Sequence, residues 1–418
     1  MDEATQLTID QRDGVISEVS AKEAVGAFLS ALAFVVVTRW PVARTVPIDS
    51  DEFILVRIAG ECWFAPYHTL FITCGRLVGS FAGDRYLGFV YLDMLTSALA
   101  LAAVWWWLRS IVRPASAMSA TLLLGLAPLF WGYGATAGSY TGIVAVGSFL
   151  LGVAVRTWAD PRPWHPYAAA VALALGTGYR HDIGTLWLPV FVVILWRHRW
   201  SRAATALALF TTLNLAWIAL MLHDVGGWVR YREQTTEFAR QAGYMNSVWN
   251  LGLVDAPLRY GVKLSMALVW TFGPALLVAP RGLYRLGKGA EPRGRGLAAL
   301  LVLSMVPSLG LHLLVHFGVP GYAFHYVPAL IALIALGVGR SGVALGFDRA
   351  PVRLGTLAAV LGAVFLLYPT DFHRPGFRGD FDLAFARHTR VGLTTRPPLK
   401  APTAWRTSNS REPGANLR

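Results

Sequence analysis

Charge is scarce in this chain. Asp, Glu, Lys and Arg make up 15% of its 418 residues, where a soluble domain carries roughly 25%. That shortage excludes a soluble globular enzyme, and the 55% of hydrophobic residues excludes a disordered chain. Cysteine is scarcer still. Cys62 and Cys74 are the only two, too few for a disulfide scaffold or a metal cluster. Both follow the first hydrophobic segment, on the side expected to be oxidising, and read as unlinked packing cysteines in preference to a disulfide. There is no Gly-rich phosphate loop between a strand and a helix, no HExxH and no GxSxG, so nucleotide-driven transport and zinc or serine protease chemistry find no support. Repeats with periods of roughly 20 to 50 residues are absent. The first 23 residues are polar and net acidic, and the apolar run after them lacks a small-residue cleavage site, so no cleavable signal peptide is expected.

What fills the chain instead is a series of long apolar runs separated by short Arg-rich breaks, with 16 Trp residues, many beside those breaks. This is the pattern of an all-α, polytopic integral membrane protein with interfacial aromatic belts. The net charge of +13 would point to nucleic acid in a soluble protein. Here the arginines sit at the ends of apolar runs and set topology, so membrane lipids are the expected partners and nucleic acid is not. About eleven spans are expected, near 24–41, 86–108, 115–135, 139–156, 166–179, 182–196, 203–222, 259–280, 297–317, 323–339 and 354–369. Basic residues collect after the even-numbered spans, from Arg109 and Arg113 through Arg156, Arg197, Arg281 and Lys288 to Arg340 and Arg353. Those loops are therefore expected in the cytoplasm, together with segment 1–23. Within the transmembrane domain, 24–370, two larger loops face outward, 40–85 and 223–258. The tail 371–418 is rich in Arg, Pro, Ser and Thr and reads as mostly disordered, on the outer side. Compact loops and a short chain favour a bacterial plasma membrane.

The first outward loop is the most informative stretch. Asp49, Asp51 and Glu52 stand about ten residues beyond the first span, followed by an apolar segment, Phe53 to Ala59, suited to the membrane surface. Carboxylates at a water–lipid boundary are partly desolvated, which raises their basicity and suits them to take a proton from a hydroxyl. Composition alone favours a plain solvated acidic loop.

The loop also resembles the first loop of the GT-C glycosyltransferases, and among them the transmembrane protein-O-mannosyltransferase-like family, whose loop reads D-S-G-E-F, then H-P-P-G-Y-P-L, then G-R-L-F. Asp49, Ser50, Glu52 and Phe53 match the first element, Pro66 and Leu70 the second, and Gly75, Arg76 and Leu77 the third. Beyond it, Ser139-Tyr140, the turn Gly178 to Asp182, and Tyr326-Val-Pro-Ala-Leu330 resemble later family positions. The chain departs from the pattern at Phe64-Ala65-Pro66, which lacks the family's His, and at Asp51, which replaces its Gly. His68, four residues on from Phe64, is the candidate substitute.

The resemblance implies a sugar, mannose or a similar hexose, carried on a polyprenyl phosphate. It also implies an outward-facing site and an inverting single displacement onto a hydroxyl of a protein, glycolipid or glycan. Asp49 is then the leading general base, with Glu52 orienting the acceptor or sharing the proton and Asp51 in reserve. A leaving phosphate needs a charged hydrogen-bonding fork, which Arg supplies. The candidates are Arg180 beside His181, then Arg76, Arg85, Arg230 and Arg232, against plain roles as a local Arg180–Asp182 pair, snorkelling side chains and a solvated surface helix. His68, Tyr140, Asp182, His325 and Tyr326 are the candidate substrate contacts. His312 and His316 share one helix face, which fits packing or a headgroup contact better than a metal pair. No metal site and no cofactor is expected with certainty, a divalent cation being left open. The alternative function is a multi-pass transporter or flippase, against which stand the lack of a repeat and of charge near mid-membrane. A non-catalytic scaffold is the third reading.

Overall fold

The computed structural model describes residues 19–40, 43, 50–240, 244–288, 292–338 and 350–367. Asp49 and the tail 371–418 lie outside them, as do the side chains of residues 50–54, among them Asp51 and Glu52. The described residues are helical throughout. In chain order they form α1 (Ala21–Arg39), α2 (Ser50–Glu61), α3 (Thr69–Ala82), α4 (Arg85–Leu108), α5 (Pro114–Gly125), α6 (Pro128–Tyr133), α7 (Thr141–Ala159), α8 (His165–Tyr179), α9 (His181–Trp196), α10 (Trp200–Val225), α11 (Trp228–Phe238), α12 (Val248–Leu251), α13 (Asp255–Phe272), α14 (Ala279–Lys288), α15 (Pro292–Leu314), α16 (Val327–Val338) and α17 (Ala350–Leu367). Short 3-10 turns at Tyr244–Asn246, Gly273–Val278 and Pro320–His325 link them.

Among the described residues six stretches are long and apolar enough to cross a membrane: Ala21–Arg39, Arg85–Leu108, Thr141–Ala159, Trp200–Val225, Asp255–Lys288 and Gly294–Leu314. Large apolar side chains stand exposed along them, such as Val37, Leu215 and Val269, as in an integral membrane protein whose solvent is lipid. Four other expected spans are shorter apolar helices: Pro114–Gly125, His181–Trp196, Val327–Val338 and Ala350–Leu361. The reasons are local. Pro128 has no N–H to donate to the turn before it and opens a new helix instead, so the run 115–135 splits into α5 and α6. At twelve residues, α5 rises about 18 Å, against a hydrocarbon core of about 30 Å. Gly273, at φ +52 and followed by Pro274, ends α13. Pro320 begins a 3-10 turn that delays α16.

Helix starts follow ordinary capping chemistry. The Glu23 N–H donates to Ser20 Oγ at 3.2 Å while the Ser20 N–H donates to Glu23 Oε2 at 2.8 Å, a reciprocal box that opens α1. Asp84 caps α4 through the Leu87 N–H at 3.0 Å. In the interior α4 packs on α7, α3 and α1. The apolar windows of α4 and α7 are each 67% buried, against 6% for α1 and 11% for α10, which lie at the rim. Glycine makes the closest approach: a Cβ on Gly88 of α4 would run into the Gly79 backbone of α3, the small-residue contact by which helices associate in lipid.

Candidate functional site

The C-terminal ends of α8 and α15 meet the N-terminal ends of α7, α9 and α16 at one end of the bundle. Arg180 lies where α8 passes directly into α9. It is extended (φ −157°, ψ 112°), serving as the C-cap of one helix and the N-cap of the other. This kink turns its side chain into the bundle, where it is buried. Its Nε donates to both oxygens of Asp182 at 3.0 Å, and Nη1 donates to Ser139 Oγ at 3.3 Å. The guanidinium lies over the rings of Tyr140, at 4.2 Å, and Tyr322, at 5.0 Å. A charge placed here in lipid is expensive unless it is paired, and these contacts pair it on every side.

Imidazoles extend the cluster. His325, fully buried in the turn before α16, places Nε2 3.4 Å from Asp182 Oδ2. His312, near the end of α15, holds the Tyr326 hydroxyl at 3.0 Å through Nδ1 and packs against the His325 ring at 5.7 Å. Among the described residues, His312 Nε2 and His325 Nδ1 have no hydrogen-bond partner although both rings are buried. His68 Nδ1 lies 3.4 Å from Ser139 Oγ. Burial, and after it the charge of Arg180, holds the His68 imidazole well below its ordinary range, so it is neutral. On the other flank the His181 N–H donates to the Tyr67 carbonyl at 3.2 Å, and its ring packs on Tyr67. Burial and the neighbouring Tyr231 push the Tyr67 phenol up to about 12, so it stays a hydroxyl.

Among the described residues two non-glycines adopt left-handed φ, Tyr67 at +71° and Ser139 at +59°. Both touch this cluster. Such conformations cost about 1–3 kcal/mol and persist where the surroundings over-determine them, functional sites above all.

Arg180, Asp182, Tyr140, His325, His68, Tyr326 and His181 are thus brought together. Arg76 and Arg232 stand apart from them: Arg76 lies over the Trp63 ring at 4.0 Å, and Arg232 is exposed on α11. Cys62 and Cys74 are free. Among the described residues no three His, Cys, Asp or Glu side chains are grouped to hold a metal ion. Sequence reasoning passed over two buried charges near the site. Asp93 sits deep in α4, and Arg39 closes α1. A single carboxylate inside a 24-residue apolar helix was the available signal, since such a group in a membrane protein is rarely incidental.

Chemically, the cluster offers a permanently charged fork, buried, in a shell of tyrosine hydroxyls and imidazoles. It can hold an oxyanion, provided the incoming group shares Arg180 with its resident carboxylate.

No protein-family model and no curated protein matches the chain. Solved structures do. ArnT from Cupriavidus metallidurans bound to undecaprenyl phosphate is 16% identical over 90% of this chain and 70% of its own, with a TM-score of 0.61. The apo state of ArnT is 14% identical over 89% and 75%, with a TM-score of 0.56. The Archaeoglobus fulgidus oligosaccharyltransferase in complex with Zn and sulfate, with a TM-score of 0.48, is too loosely alike to argue from. The chain therefore has the fold of ArnT.

Proposed function

We propose that this protein is a membrane glycosyltransferase that moves mannose or a similar hexose from a polyprenyl phosphate to an acceptor hydroxyl, with inversion, on the extracytoplasmic side of a bacterial plasma membrane. The observation that carries the reading is the buried Arg180 cluster. It is a buried, hydrogen-bonded guanidinium paired with a carboxylate at one end of a fold shared with ArnT, whose solved form holds undecaprenyl phosphate.

In the proposed reaction the Asp49 carboxylate takes the proton of the acceptor hydroxyl, and that oxygen attacks the anomeric carbon from the face opposite the phosphate. The carbon–oxygen bond to phosphate breaks, and the polyprenyl phosphate leaves with the electron pair. Glu52, three residues on from Asp49 in the sequence, orients the acceptor, with Asp51 in reserve. Arg180 takes up the charge that develops on the leaving phosphate, the role in which preorganised donors contribute most. His325, His312 and Tyr326 line it with hydrogen-bonding groups, and Asp182 holds the fork in place between turnovers. His68 and Tyr140 border the sugar's side of the pocket. The acceptor is a protein hydroxyl, a glycolipid or a glycan.

The test uses purified protein in nanodiscs, offered a panel of radiolabelled polyprenyl-phosphate sugars with and without chelator, following release of the lipid phosphate. One donor should be consumed, and Asp49→Asn should slow release by about 10²- to 10⁴-fold, the range of a general base. No release from any donor by folded wild-type protein, or release indifferent to Asp49, would overturn the proposal. Saturable movement of an intact lipid-linked sugar would put a flippase in its place.

A further inference from the structure

Asp93 lies in the third turn of α4, fully buried within an otherwise apolar helix. A carboxylate there is costly, and a Leu in its place would pack without that cost. Its contacts show what the group does. Thr141 Oγ1 donates to Asp93 Oδ1 at 2.5 Å, and Thr96 Oγ1 lies 3.1 Å from the same oxygen. The Thr96 and Thr141 hydroxyls are 2.7 Å apart, and the Tyr179 hydroxyl lies 3.3 Å from Thr96. The Gly138 backbone N–H also faces the carboxylate.

These partners belong to two segments far apart in sequence. Gly138 and Thr141 bracket Ser139 and Tyr140, which hold the Arg180 guanidinium. Tyr179 immediately precedes Arg180 itself. One buried carboxylate therefore ties down both segments, holding the neighbours of Ser139 and Tyr140 directly and the residue before Arg180 through Thr96. It also explains how Ser139 keeps a left-handed φ of +59°: the residues flanking it are anchored from below. Gly134, earlier in the same segment, has no room for a side chain, because a Cβ there would meet Ser97 Oγ and Arg39 Nε. The whole stretch is thus seated directly on α1 and α4.

We infer that Asp93 is a positioning residue of the Arg180 site, setting the register of the Gly138–Thr141 turn against Arg180 through the Thr141, Thr96 and Tyr179 hydroxyls. Its functional side rests on the reading of Arg180 as a phosphate contact. Its structural side does not.

The test separates the two. Asp93→Asn and Thr141→Val are prepared as full-length protein in nanodiscs, with Ser148→Ala, a buried hydroxyl further along α7, as control. Two readouts are taken: amide hydrogen exchange of the peptides covering 134–142 and 176–183, and binding of undecaprenyl phosphate. Exchange in both peptides should rise about tenfold in either variant, and affinity for the lipid phosphate should fall about tenfold, the equivalent of one lost buried hydrogen bond. The control and the body of α7 should not change. If Asp93→Asn does not fold, Thr141→Val alone decides. Unchanged exchange would overturn the inference, and so would faster exchange without weaker binding in a protein that binds the probe. A wild type that binds no lipid phosphate would refute the reading of Arg180, while the exchange data would still decide whether Asp93 sets the turn.

Discussion

Among the described residues two arginines are buried, Arg39 and Arg180, and they are held in opposite ways. Arg180 meets a carboxylate at 3.0 Å, a serine hydroxyl at 3.3 Å and two tyrosine faces. Arg39 donates through Nε to the Trp131 carbonyl at 3.2 Å and lies 5.5 Å from the Phe130 ring, while Nη1 and Nη2 find no partner among the described residues. Its nearest carboxylate, Asp93, is engaged by threonines. A buried charge with a full partner set is a fixed tool. One without it is a cost that the surrounding packing carries. The first pattern marks a site, and the second does not by itself.

Substitutions can break that contrast. The largest effect is expected from Arg180→Ala, which strands Asp182 and should cost about 3–5 kcal/mol, read as a steep fall in apparent Tm in detergent. Unfolding curves that overlay the wild type would mean that the pair is not formed. Next, Gly88→Ala should cost about 1–3 kcal/mol by overpacking against the Gly79 backbone. It should lower apparent Tm without touching lipid-phosphate binding, since it disturbs the scaffold and not the cluster. Arg39→Met should sharpen the comparison. Removing an under-partnered buried charge should change stability by less than about 1 kcal/mol, in either direction. A loss equal to that of Arg180→Ala would show that the two sites are held alike.

The smallest expected effect is a pH dependence. His68 is held neutral with its pKa below the ordinary value. The unfolded chain therefore binds more protons at low pH, and this stabilisation is complete above the ordinary histidine value of about 6.5 and is lost as pH falls beneath it. Apparent Tm measured from pH 7.5 down to 5 should fall less in His68→Asn than in the wild type. Parallel curves would remove His68 from the account.

Much of this was legible in the sequence, for reasons that can be named. The apolar runs and Arg-rich breaks gave the all-helical membrane class, because lipid leaves the backbone few alternatives. The trio Arg180, His181, Asp182 stood out as charge between two apolar runs, and the structure brings it together with Tyr140, His325 and His68. Other features were less visible. Pro128 and Gly273-Pro274 were in plain view, yet hydropathy ran on through them, so broken helices were read as whole spans. Asp93 was submerged in an apolar window. The left-handed φ of Ser139 has no signature in residue type. The meeting of Asp182 with His325, 143 positions apart, depends on helix packing and could not be read locally.

The most direct test sets the two arginines side by side in one assay. Release of lipid phosphate from the consumed polyprenyl-phosphate sugar would be measured for the wild type, Arg180→Gln and Arg39→Met. Loss of about 10²-fold or more in Arg180→Gln, the scale of a lost transition-state donor, with Arg39→Met within about threefold of the wild type, is the predicted result. Full activity in Arg180→Gln, or equal losses in both variants, would contradict the assignment of the Arg180 cluster as the phosphate site.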